Sequence, residues 1–91
     1  MNSELRDGVL YIGGEVTVKT VTDTAYTHFK QQCRLQNLDT VDFASVSRAD
    51  SACLSLLLTA QRLNPNVRFR HLPESVRALA DLYEINDWLS S

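Results

Sequence analysis

The sequence predicts an α/β fold: a mixed, mostly parallel β-sheet with helices, in the order β-β-α-β-α-β-α. Three observations carry that expectation. Short apolar alternations around Val9–Ile12, Val41–Phe43 and Val67–Phe69 are separated by stretches of helical period, which implies crossover connections between parallel strands. Such crossovers are right-handed. An Asp7-Gly8 pair between two strand-like runs adds an antiparallel hairpin at the start. At 91 residues, residues 1–91 make a single domain, near the small end of what one hydrophobic core stabilises unaided.

The opening hairpin joins Glu4-Leu5-Arg6 to Val9-Leu10-Tyr11-Ile12, and Gly13-Gly14-Glu15 is expected to end its second strand. From about Thr22 to Leu35 the pattern turns helical. Ala25, Phe29 and Cys33 fall at i, i+4 and i+8, with Thr22 or Asp23 as the cap. Val41 and Phe43 alternate with polar neighbours as a short strand, followed by a loop that leads to the Asp50-Ser51 step.

Ser51 to Leu63 reads as an apolar helix, with residues 53, 54, 56, 57, 58, 60 and 63 on a broad buried face. Ser51, Ser55, Thr59 and Arg62 form the remaining stripe. Ser and Thr are mediocre helix formers where a solvent face ordinarily carries Glu, Lys or Gln, so a closely approached contact surface is one reading of that stripe. A plain solvent face is the other. Asn64-Pro65-Asn66 breaks the helix, Val67-Arg68-Phe69-Arg70 forms the next strand, and Pro73 fits the first turn of a last helix with Val76, Leu79, Ala80 and Tyr83 inward. Ile85, Trp88 and Leu89 then dock on the core or on a partner.

Composition narrows the function classes. Hydrophobic residues make up 44% and charged residues 22%, with three Gly and two Pro, so the chain is globular. A net charge of −2 gives no footprint for nucleic acid. The N-terminus lacks a signal-peptide pattern and no apolar run approaches a membrane span, so a cytoplasmic protein without direct membrane insertion is expected. Cys33 and Cys53 have no neighbour at metal-ligand spacing and read as small buried hydrophobes, so neither a metal nor a cofactor is expected.

Tests for chemistry return little. Gly13-Gly14 lacks the spacing and the Lys-Ser/Thr of a phosphate loop. Ser51 or Cys53 as a nucleophile needs a base, and the only histidines are His28 and His71, neither of them nearby in sequence. Asp42 and Asp50 could gather at one sheet edge, where loop hydrogen bonding and capping compete with acid–base or Mg²⁺ chemistry. No catalytic residue is assigned. Asp50 or Ser51 caps the helix, and the free N–H groups and macrodipole there suit an anionic group.

The element order, with Asp42 in the middle strand and Asp50-Ser51-Ala52-Cys53-Leu54 opening the next helix, resembles the STAS domain of anti-sigma factor antagonists and sulfate transporters. In that family the Asp-Ser/Thr step precedes a helix and its hydroxyl can be phosphorylated by a partner kinase; Ser51 matches that position. The family's usual Gly two residues on is Cys53 here, and the second Ser of the antagonist motif is Ala52. The Arg48-Ala49-Asp50-Ser51 lead-in, the Leu-rich helix and the Gly13-Gly14-Glu15 strand end look most like the Mla-type STAS subunit of phospholipid-transport ABC systems.

The resemblance implies a non-enzymatic subunit that binds the ATPase subunit of an ABC transporter, in a complex with permease and lipid-binding subunits that maintains outer-membrane lipid asymmetry. The chain would then lie in the cytoplasm, peripheral to the inner membrane. The expected partner-binding residues are Arg48, Asp50, Ser51, Ala52, Ser55 and Thr59. Tyr26 is added as the nearest match to an aromatic of the first helix that faces the ATPase in such subunits. The alternative is an anti-sigma factor antagonist switched by phosphorylation of Ser51.

Overall fold

In the computed structural model, which describes residues 1–35 and 37–82, the first element is a strand built to turn back on itself. β1 (Asn2–Arg6) pairs antiparallel with β2 (Val9–Val16), Arg6 opposite Val9. Only Asp7 and Gly8 remain for the turn, and both take left-handed backbone angles, φ 50° and 80°. That is the primed turn whose twist matches a hairpin. Gly8 also has no room for a side chain, since a Cβ there would lie 2.9 Å from the Asn37 carbonyl. Its own carbonyl accepts the Asp39 and Thr40 N–H groups at 2.8 and 3.2 Å, tying the hairpin to the start of the third strand.

Gly13-Gly14 does not end β2, which runs on to Val16. The pair is absorbed by irregularities in the register on either side, and the Asn2 side chain lies over Gly13 in the space a Cβ would fill. Helix α1 (Asp23–Cys33) follows, with Thr22 as its cap: the Thr22 hydroxyl accepts the Ala25 N–H at 3.2 Å. Phe29 and Cys33 are its buried residues.

β3 (Thr40–Ala49) is longer than expected and leaves no loop before Asp50. Its first four residues are buried, whereas 44–49 are exposed or half-buried. They stay extended because β2 continues beside them, Gly13 opposite Ser45 and Glu15 opposite Arg48. The main-chain ladder, not apolar alternation, holds that stretch. Helix α2 (Ser51–Leu63), the three-residue β4 (Arg68–Arg70) and α3 (Glu74–Leu82) are the remaining elements among the described residues. The Pro73 carbonyl accepts the Val76 and Arg77 N–H groups, so proline stands just before α3. The expectations for Ala80, Tyr83, Ile85, Trp88 and Leu89 fall outside the described side chains.

The sheet order is β1-β2-β3-β4, with β2, β3 and β4 parallel. One cross-sheet row, Leu5–Leu10–Val41–Phe69, belongs to the apolar core with Phe29 and Cys33 of α1, Cys53, Leu56 and Leu57 of α2, and Val76 of α3. The helices therefore share one face of the sheet. The adjacent row, Glu4–Tyr11–Asp42–Arg70, points the other way, as strand alternation requires. Burial pushes both cysteine thiols up to about 12, with the Asp50 charge adding to the effect at Cys53. They are inert core residues, as their sequence context suggests.

Candidate functional site

The end of the sheet where β2 and β3 finish is organised by one carboxylate. Asp50 has extended backbone angles, and its Oδ1 accepts the Ala52 N–H at 2.8 Å, so Asp50 and not Ser51 is the cap of α2. Its Oδ2 accepts the Val18 N–H at 3.1 Å, which fastens the β2–α1 turn to the start of α2. The Asp50 N–H in turn donates to the Val16 carbonyl at 3.2 Å. One side chain thus fixes two segments that are 32 residues apart.

The fastened turn is itself tightly made. The Thr20 hydroxyl donates to the Glu15 carbonyl at 2.7 Å and accepts the Thr17 N–H at 2.9 Å, while the Thr20 and Val21 N–H groups donate to the Thr17 carbonyl. It presents Val18 with 69% of its surface exposed. Sequence reasoning missed Val18, because Val16-Thr17-Val18-Lys19 alternates as a continuing strand would and nothing in that pattern tells a loop apex from a core position. A shallow cleft of about 330 Å³ lies beside it, lined by Glu15, Lys19, Arg48 and Asp50 among others. Arg48 belongs to β3, opposite Glu15, and not to a loop.

Ser51 is the first residue of α2 and is exposed, as is Ser55, whose hydroxyl donates to the Ser51 carbonyl at 3.3 Å. The expected stripe needs one correction. Thr59 is only 6% accessible, and Leu58, placed by the sequence on the buried face, is 43% exposed. Helical geometry explains the exchange: Ser55, Leu58 and Arg62 fall within about 40° of Ser51, whereas Thr59 is about 80° around. The exposed face of α2 is Ser51, Ser55, Leu58 and Arg62.

Thr59 instead faces α1, where its hydroxyl and that of Tyr26 lie 2.8 Å apart in a hydrogen bond. Lys30 sits over the Tyr26 ring at 4.8 Å. The two sequence-selected residues Tyr26 and Thr59 are brought together, but as a clasp between helices and not as part of the Ser51 face. Ala52 is half-buried and contributes its N–H to the cap. Cys53, where the family pattern has Gly, turns into the core and leaves the exposed face unchanged.

A second aspartate has a different setting. Asp42 is 4% accessible, on the sheet face away from the helices. Its Oδ2 accepts Arg70 through Nε and Nη2, both at 2.8 Å. Its Oδ1 accepts the Ala44 N–H at 2.8 Å and lies 3.2 Å from His71 Nδ1. Burial alone would push this carboxyl up, yet the Ala44 N–H, Arg70 and His71 together outweigh it and hold Asp42 below its ordinary value. The same hydrogen bond raises Arg70. His71 adopts a left-handed backbone, φ 58°, at this contact. Asp42 and Asp50 thus have separate partners and do not converge, and His28 lies exposed on α1.

Neither a scan against family models nor a search of curated proteins returns a match to this chain. Among solved structures, the anti-sigma factor antagonist SpoIIAA in its unphosphorylated form is similar, with a TM-score of 0.58 and 16% identity over 89% of this chain and 81% of that one. The fold is therefore the STAS fold, a four-stranded mixed sheet with three helices in the described residues. No helix among those residues is long and apolar enough to cross a membrane.

Proposed function

We propose that this chain is a non-enzymatic adaptor that docks a protein partner through the start of α2, and that the partner is the ATPase subunit of an ABC phospholipid transporter. One observation carries the reading: Ser51, Ser55 and Leu58 form a single exposed face beside Val18, and Asp50 holds the two pieces together. Small hydroxyls let a partner backbone approach closely, and two exposed apolar side chains, Val18 and Leu58, supply area to bury. In this role the chain supports assembly and activity of the ATPase, while permease and lipid-binding subunits handle the lipid and maintain outer-membrane asymmetry. It sits in the cytoplasm, peripheral to the inner membrane, and needs no cofactor.

Replacing Ser51 by Arg places a long charged side chain in the middle of that face without touching the core. Ser51→Arg should abolish capture of the co-expressed ATPase subunit in a pull-down while thermal unfolding stays within about 0.5 kcal/mol of the parent. Undiminished capture would remove this face from consideration.

A second reading is supported by the likeness to SpoIIAA: an anti-sigma factor antagonist switched at Ser51. A phosphate there adds about −1.5 to −2 charges at the N-terminus of α2. Purification of the tagged chain from its own cells, with the co-purifying proteins identified by mass spectrometry, separates the two. An ABC ATPase and permease support the transporter; a serine kinase and a phosphorylated intact mass support the antagonist.

A further inference from the structure

We propose that β1 is a self-pairing edge, and that two copies of this chain join through it antiparallel, about a two-fold axis at Leu5, to make one continuous sheet from the four described strands of each copy. β1 is the first strand of the sheet, paired on one side with β2 along all five of its residues, and no other described strand pairs with it. An open strand edge is a template for another strand. A symmetric pairing of identical strands must keep like faces together, so only every second register is open to it.

Those registers differ in charge. Centring on Glu4 sets Glu4 against its own copy, an unfavourable pair. Centring on Leu5 sets Glu4 against the partner copy's arginine at position 6 twice over, with leucine against leucine on the helix side. Glu4 and Arg6 are both largely exposed and lie 3.5 Å apart within the chain, with the Arg6 guanidinium over the Tyr11 ring at 4.6 Å, so an exposed pair within the chain is exchanged for the pair across the edge. Opposite charges directly across antiparallel strands attract and like charges repel, so this register is selected over its neighbours.

The opposite edge of the sheet does not share the property. β4 has three residues, and Arg68 and Arg70 project from one face. An antiparallel pairing about Phe69 would set arginine against arginine at both ends. Self-association is therefore directed to β1 and closes at two copies. It uses residues distinct from the exposed face of α2.

Sedimentation equilibrium of the full chain across a wide concentration range tests this directly. The parent should reach twice the chain mass as concentration rises. Glu4→Arg should weaken the dimer about tenfold or more, because two attractive cross-strand pairs become repulsive. Glu4→Arg combined with Arg6→Glu should restore it, since the swap regenerates the same pairs. Both positions are exposed, and circular dichroism checks that each variant is folded. A parent that stays monomeric throughout, a dimer indifferent to Glu4→Arg, a folded double variant that remains as weak as the single one, or growth beyond two copies would each overturn the proposal.

Discussion

Two aspartates eight residues apart, Asp42 within β3 and Asp50 just past its end, are held by opposite means. Asp42 is buried and answered by two side chains, Arg70 and His71, together with one backbone N–H. Asp50, half-buried, is answered by backbone alone, the N–H groups of Val18 and Ala52. The first fastens β4, a strand of only three residues, onto β3, and so serves the fold. The second fastens a turn onto a helix start at the surface, and so serves presentation. A carboxylate's partners, more than its place in the sequence, decide which of these it does.

The contrast breaks most readily at Asp42. Asp42→Ala leaves Arg70 and His71 without their acceptor and the Ala44 N–H unpaired, at a cost of about 2–3 kcal/mol. In a domain of this size that lowers Tm by roughly 10–20 °C, measurable by circular dichroism. A loss within about 0.5 kcal/mol, ordinary for a surface substitution, would mean that β4 is held by the ladder alone.

Acid should expose the same dependence. Because the folded carboxyl lies below its ordinary value of 3.8, its contribution is complete above that value and disappears as pH falls through the lowered one. Chemical denaturation followed below about pH 4 should show stability falling, and Asp42→Asn should flatten that acid limb relative to the parent.

Of the two aspartates, the smaller effect on stability is expected at Asp50. Asp50→Ala removes a helix cap and should cost about 1–2 kcal/mol. Hydrogen exchange sharpens the comparison: the Val18 and Ala52 amides should exchange faster in that variant while those of β4 keep their protection. Equal acceleration at both places would make the two regions one cooperative unit.

Much of the fold was legible in the sequence, and the exceptions have physical reasons. Asp7-Gly8 announced the hairpin because few pairs tolerate two left-handed residues in succession. The helices announced themselves by period. The far half of β3 did not, because Ser45, Val46 and Arg48 stay extended through main-chain pairing with β2 and not through apolar alternation. Gly13-Gly14 looked like an ending and is instead a crossing point for the Asn2 side chain. Of the candidate site, the Asp50-Ser51 step was readable as a helix start capped by one of the two, and the fold chooses Asp50 and leaves the Ser51 hydroxyl exposed. The burial of Thr59 was not, since its partner Tyr26 is 33 residues away, and Val18 owes its position to a carboxylate 32 residues downstream.

The two buried cysteines carry a practical consequence. Cys33 sits at the end of α1 and Cys53 in the first turn of α2, each closed to solvent by the core. A maleimide or disulfide reagent can reach either sulfur only when its helix lifts away, and even then it meets a thiolate only after the environment that raised the thiol has gone. The native chain thus contains two clocks, one on each helix of the Tyr26–Thr59 clasp, whose labelling rates time the opening of α1 and α2 with no introduced cysteine.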